Sequence, residues 1–133
     1  QVVGEGGELL EERCWGSTLR DKRGGVLVQI REGVIARGPI PLLILTVGHE
    51  LVHAEQILFG GPANPHEKEF EAFSWMLLPA RARHPPISHA DRAWLLSRAE
   101  EHAAALPATA RTGREQTRHA LHAAHLSAPV LLV

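Results

Sequence analysis

The residues best placed to do chemistry lie in one short run, His49-Glu50-Leu51-Val52-His53. Helical positions four apart differ by about 40° around the axis, so His49 and His53 share a face and both imidazoles can reach one cation. The pattern is H-E-x-x-H: two zinc ligands, with Glu50 between them placed as general base toward a metal-activated water. Three fixed residues recur by chance in unrelated chains, so the surroundings must carry the argument.

Those surroundings predict a helix. Gly38-Pro39-Ile40-Pro41 blocks helix before the motif and Gly60-Gly61-Pro62 stops it afterwards, leaving Leu42 to Phe59. On a helical wheel Leu42, Leu45, Thr46, His53 and Gln56 fall within about 60° of His49. Ile44, Val47, Leu51, Ala54 and Leu58 form a stripe on the far side, expected to face a core. A helix apolar nearly all round is a buried helix, and two histidines and a glutamate inside it need a partner such as a metal ion. A membrane span is rejected, because the apolar run before His49 is about nine residues, short of the roughly 20 a bilayer needs.

A second helix follows. Asn64 is a good N-cap, Pro65 suits the first helical position, and Glu67 stands three residues after Asn64 as in a capping box. The helix is expected to run to Leu78 and stop at Pro79. Glu69 shares a face with Phe70, Ala72, Phe73, Met76 and Leu77, whereas Glu67, Glu71 and Ser74 fall on the opposite, solvent-like side. A carboxylate on the buried face needs a cation, which makes Glu69 the third ligand. Glu67 is explained as a cap, and Glu71 is the fallback ligand.

The rest of the chain supplies supporting elements. A weak helical pattern around Leu9, Leu10, Arg13 and Cys14 precedes Val26-Leu27-Val28-Gln29-Ile30, read as a strand or as half of a hairpin turning at Arg31-Glu32-Gly33. Such a strand either packs plainly on the metal helix or pairs with extended peptide, and both can hold at once. Residues 79–89 form a proline-broken loop with Arg81, Arg83, His84 and His89. With tyrosine absent, these four are the candidates to stabilise an oxyanion. Ser88 and Asp91 open a helix to Leu106 with Ala93, Leu96, Ala103 and Leu106 inward. Thr112 and Glu115 open a last helix before the apolar tail Ser127–Val133, which is expected to add a strand, dock in a groove or stay disordered. His119, His122 and His125 spread over about 240° of that helix, so all three cannot share an ion and are read as solvated.

Composition narrows the function classes. The 133 residues suffice for one domain with one core, read as 1–133. The 14 basic and 15 acidic residues give a net charge of −1, with no basic stripe for nucleic acid. The single cysteine, Cys14, excludes an internal disulfide and slightly favours a reducing cytoplasm. No signal-peptide or lipidation pattern is present. Gln1 rather than methionine opens the chain, which reads as a piece of a longer or processed one.

With His49-Glu50-x-x-His53 followed by Glu69-Phe70-Glu71-Ala72-Phe73, the sequence resembles the gluzincin clan of zinc metallopeptidases. Within it the look is of minimal catalytic domains of the CAAX-prenyl-protease type, where the second helix carries E-x-x-A-[DN]. The stretch from Leu45 to Gln56 is also similar to the active-site helix of small bacterial effector and toxin peptidases. The likeness covers residues 26–78. Two departures stand out: Phe73 sits where that family places Asp or Asn to orient a ligating histidine, and only 15 residues (54–68) separate His53 from Glu69. The helix is also similar to that of peptide deformylases, which take their third ligand from an upstream cysteine. Cys14 is the counterpart here, without the glycine that precedes it in that family.

The expectation is thus an α+β, zincin-like fold, with a small sheet, an active-site helix and a helical C-terminal half. The expected activity is zinc-dependent hydrolysis of a peptide or protein substrate, with His49, His53 and Glu69 on the metal and Glu50 as base. The alternatives are a deformylase-like amidohydrolase using Cys14, or a zinc-stabilised binding or regulatory module without turnover. Nucleic acid and membrane insertion are not expected.

Overall fold

The structure is a computed structural model and describes residues 15–37, 39–77 and 87–127. The chain divides into two compact units, Gln1–Gly60 and Gly61–Val133.

The first unit begins with an antiparallel hairpin, β1 (Gly16–Arg20) and β2 (Val26–Ile30), in the register Gly16↔Ile30, Thr18↔Val28 and Arg20↔Val26. The turn is built by Asp21 and Gly24. The Asp21 amide donates to the Gly25 carbonyl at 2.9 Å, the Gly24 amide donates to the Asp21 carbonyl at 3.1 Å, and Gly24 has φ 84°, where a side chain would be strained. The strand expected over residues 26–30 is therefore present, but its hairpin partner lies upstream. Val34-Ile35-Ala36, the return strand of the hairpin alternative, lies instead in a short helix, α1 (Glu32–Arg37), that buries Val34. The expected short helix around Leu9 to Cys14 lies outside the described residues.

The long helix α2 (Ile40–Phe59) has 20 residues. It starts two residues earlier than the prolines suggest, because Pro39 is the N-cap and Pro41 sits in the first turn, where no amide proton is required. Gly60, with φ 86°, ends it. The helix packs against both strands of the hairpin. Leu42, Leu45, Thr46, His49 and Glu50 are buried, and a buried leucine contributes roughly 1.5–3 kcal/mol. The far stripe behaves differently from expectation. Ile44, Leu51 and Leu58 are exposed, Leu51 at 55%, and the hairpin meets the helix at Glu50 and Ile57 instead. By length and composition alone α2 could cross a membrane, with a mean hydropathy of 1.3 over 18 residues.

The second unit is helical: α3 (Pro65–Leu77), α4 (His89–Ala104), α5 (Ala108–Gly113) and α6 (Glu115–Ser127). Helix α3 is capped as its sequence requires, the Asn64 side-chain oxygen accepting from the His66 amide at 2.8 Å. Ser88 caps α4, its hydroxyl accepting from the Asp91 amide at 3.1 Å. Helix α3 packs on α4 and α6, and α4 on α6. Phe70, Ala72, Phe73, Met76, Leu95, Leu96, Ala99, Ala103, Leu106 and Leu121 form the core, whereas Ala93 is half-buried. The solvent-like side expected for α3 is covered as well. Ser74 is buried and donates to the Phe70 carbonyl at 2.6 Å, while Glu67 and Glu71 each accept from Arg114 at 3.0 Å. The tail beyond residue 127 lies outside the described residues.

The architecture is α+β, a two-stranded antiparallel sheet with the H-E-x-x-H helix against it in one unit and helices in the other. This matches the zincin-like expectation.

Glu100 on α4 sits between Arg118 at 2.7 Å and His122 at 2.8 Å, both on α6. Burial alone would raise its carboxyl, but the hydrogen bonds and charges of Arg118 and His122 hold it below the ordinary 4.5. The unfolded chain then binds more protons as pH falls through 4.5, so this stabilisation is complete above that value and is lost progressively as pH falls from there through the lower folded-state value. Glu100→Gln should therefore lower the melting temperature at pH 6 by a few degrees at most, about 1 kcal/mol for a solvent-screened network. At pH 4 the gap should be smaller. Thermal melts across that range check it, and an equal gap at both pH values would contradict it.

Candidate metal centre

Within the first unit, α2 brings His49 and His53 together on one face, as their spacing requires. Their Nε2 atoms lie 3.2 Å apart and the rings meet edge to face, centroids 4.9 Å apart. That separation suits shared ligation. A tetrahedral ion bound at about 2.0–2.1 Å from each nitrogen spaces its ligands by about 3.3–3.4 Å. The donor chemistry therefore fits zinc.

The ring of His53 is held from behind. Its Nδ1 is 2.9 Å from Gln56 Oε1. An amide oxygen only accepts, so in this orientation of the amide the ring proton belongs on Nδ1 and Nε2 keeps its lone pair. His49 is buried and His53 half-buried, which limits solvent competition at the pair.

Glu50 turns toward the hairpin. It is 5% exposed, and its Oε1 accepts a hydrogen bond from the Thr18 hydroxyl at 2.7 Å. The same hydroxyl lies 3.0 Å from the Glu50 carbonyl. Gly16, one position along the same face of β1, gives the carboxylate room. A Cβ there would stand 3.0 Å from Glu50 Cγ and 3.2 Å from Oε2. With Thr18 on Oε1, the other oxygen, Oε2, is the one 4.0 Å from His49 Nε2. The hairpin thus orients one carboxylate oxygen toward the histidine pair.

In the second unit Glu69 is half-buried on α3, one residue from the fully buried Phe70. Glu71, the fallback ligand, pairs with Arg114 instead, and so does Glu67, expected to act as a cap. Phe73, which replaces the orienting residue of the resembled family, stacks on His102 at 5.8 Å. Burial pushes His102 below the ordinary histidine value, against the opposing charge of Glu69. His66 Nδ1 lies 3.0 Å from His102 Nδ1.

Of the oxyanion candidates, His89 is exposed at the start of α4, while Arg81, Arg83 and His84 lie outside the described residues, as does Cys14. His119 and His122 on α6 are exposed, next to Glu115 and Glu100 respectively. The sequence had no signal for Thr18: it stands 32 positions from Glu50 in a strand without a β-rich run. Gln56 was visible on the His49 side of the wheel, at the i+3 spacing from His53 that lets the two side chains meet.

No family model, curated protein or solved structure matches the chain.

Proposed function

We propose that the protein is a zinc-dependent hydrolase of peptide bonds, with His49, His53 and Glu69 as metal ligands and Glu50 as the catalytic base. The observation that carries this reading is the buried Glu50 carboxylate, fixed by Thr18 beside two histidine Nε2 atoms 3.2 Å apart. A structural metal site has no use for a buried, acceptor-ready carboxylate between its ligands, and a hydrolase does. Glu69 is supported by its chemistry: its carboxylate is half-buried on α3, and a carboxylate completes a two-histidine zinc donor set. Glu71 is the weaker choice because Arg114 occupies its carboxylate.

When bound, zinc with three protein ligands supplies Lewis-acid polarisation of the scissile carbonyl and acidifies the attacking water. The chain's own residues do the rest. Glu50 accepts the water's proton at Oε2 while Thr18 holds Oε1, and it then delivers that proton to the departing amine nitrogen. Gln56 keeps Nε2 of His53 free of hydrogen. The outer edges of the two-stranded sheet are where an extended peptide or protein segment, the substrate class we assign, would pair. The near-neutral charge disfavours nucleic acid. For α2, packing of its polar residues against the hairpin favours a buried helix over a membrane span.

Removing one candidate ligand separates the readings. Glu69→Ala should weaken zinc binding by at least tenfold, whereas Cys14→Ser should leave it unchanged. Competition titration with a chromophoric chelator measures both. The reverse result would favour the deformylase-like reading, in which Cys14 is the ligand and Glu69 tolerates replacement.

A further inference from the structure

We infer that Gln56 is the positioning residue for the metal pair, fixing the tautomer and ring orientation of His53; this rests on the zinc reading above. Only a nitrogen without a proton can bind a metal, and neutral imidazole carries its proton on one of two nitrogens. An acceptor at Nδ1 decides which. Gln56 Oε1 stands 2.9 Å from Nδ1, one helical turn along α2, so the decision is made inside the helix that carries the ligand.

The opposite amide orientation has a different consequence. Gln56 would then donate to Nδ1 and the ring proton would move to Nε2. That proton would point at His49 Nε2, 3.2 Å away, in the space both ligands must share. The two orientations of one amide thus correspond to a ligating and a non-ligating histidine, and a bound cation selects the first.

Gln56 has the acceptor and the reach to fill the role from the metal helix itself.

The test compares wild type with Gln56→Ala and Gln56→Glu by two readouts: zinc affinity from competition titration, and the His53 tautomer from long-range ¹H–¹⁵N NMR of the metal-free protein at pH 8. A glutamate keeps the acceptor and removes the donor. Gln56→Ala should weaken zinc by about 10–100-fold while keeping one ion per chain, the usual effect of losing such a partner. Gln56→Glu should bind at least as tightly as wild type. In the NMR spectra His53 should carry its proton on Nδ1 in wild type and Gln56→Glu, and should lose that preference in Gln56→Ala. Wild-type zinc affinity in Gln56→Ala would overturn the inference, as would an Nε2-protonated His53 in wild type. If wild type bound no zinc, the metal reading would fall. The tautomer would still decide the role of Gln56: a preference unaffected by Gln56→Ala overturns it, and one abolished by it sustains it.

Discussion

Replacing His49 or His53 with alanine is expected to abolish stoichiometric zinc binding. Structural zinc sites are worth about 10–16 kcal/mol over four ligands, so one ligand carries roughly 2.5–4 kcal/mol, a loss of roughly 60- to 700-fold in affinity. The effect should be similar for both residues, because their Nε2 atoms face the same point from successive turns of α2. Neither substitution should remove the hairpin, which is also tied to α2 by the Thr18–Glu50 and Arg20–Ile57 hydrogen bonds. His49→Ala should cost more stability than His53→Ala, since His49 is buried and His53 only half-buried. Elemental analysis after gel filtration gives the metal content, and circular dichroism shows whether the fold survives. One zinc per chain in both variants would remove the metal assignment.

Glu50→Gln should separate binding from chemistry. The amide oxygen can still accept from Thr18, so the contact between α2 and β1 persists and the variant should fold and keep its zinc. What the amide cannot do is take a proton at the position of Oε2. Turnover should fall by about 10²–10⁴-fold, the usual contribution of a positioned base. Cleavage of a mixed peptide library followed by mass spectrometry measures this, alongside metal content and melting temperature. Near wild-type turnover in a zinc-loaded Glu50→Gln protein would show that Glu50 is not the base. Loss of zinc in the same variant would show that Glu50 is structural. Gly16→Ala approaches the same group from the other side, since its new methyl would press on Glu50 Cγ.

The parts legible in the sequence are those set by local periodicity. The i, i+4 histidines, the caps at Asn64 and Ser88 and the stop at Gly60 each follow from the chemistry of a few adjacent residues, and each stands where the residues put it. What periodicity cannot supply is the direction from which a helix is covered. Helix α2 is apolar nearly all round, so either face could have met the sheet. The hairpin meets the helix at Glu50 and Ile57, and Ile44, Leu51 and Leu58 are left exposed. The same uncertainty placed Ser74 in solvent, although α4 and α6 enclose α3 on more than one side.

The hairpin partner was hidden for another reason. Gly16-Ser17-Thr18-Leu19-Arg20 lacks the β-branched density that marks Val26 to Ile30, and its pairing is specified by the Asp21–Gly25 turn and by what Thr18 meets across the fold. A side chain whose role is to hold another residue 32 positions away leaves no local trace. Glycine at 16 is legible only afterwards, once Glu50 is seen to need its space.

The central claim is that His49, His53 and Glu69 hold one zinc ion, and anomalous diffraction at the zinc edge tests it most directly. The account predicts a single peak about 2.0–2.2 Å from His49 Nε2, His53 Nε2 and a Glu69 carboxylate oxygen. A peak bonded to Cys14 Sγ near 2.3 Å, or to Glu71 in place of Glu69, would contradict it.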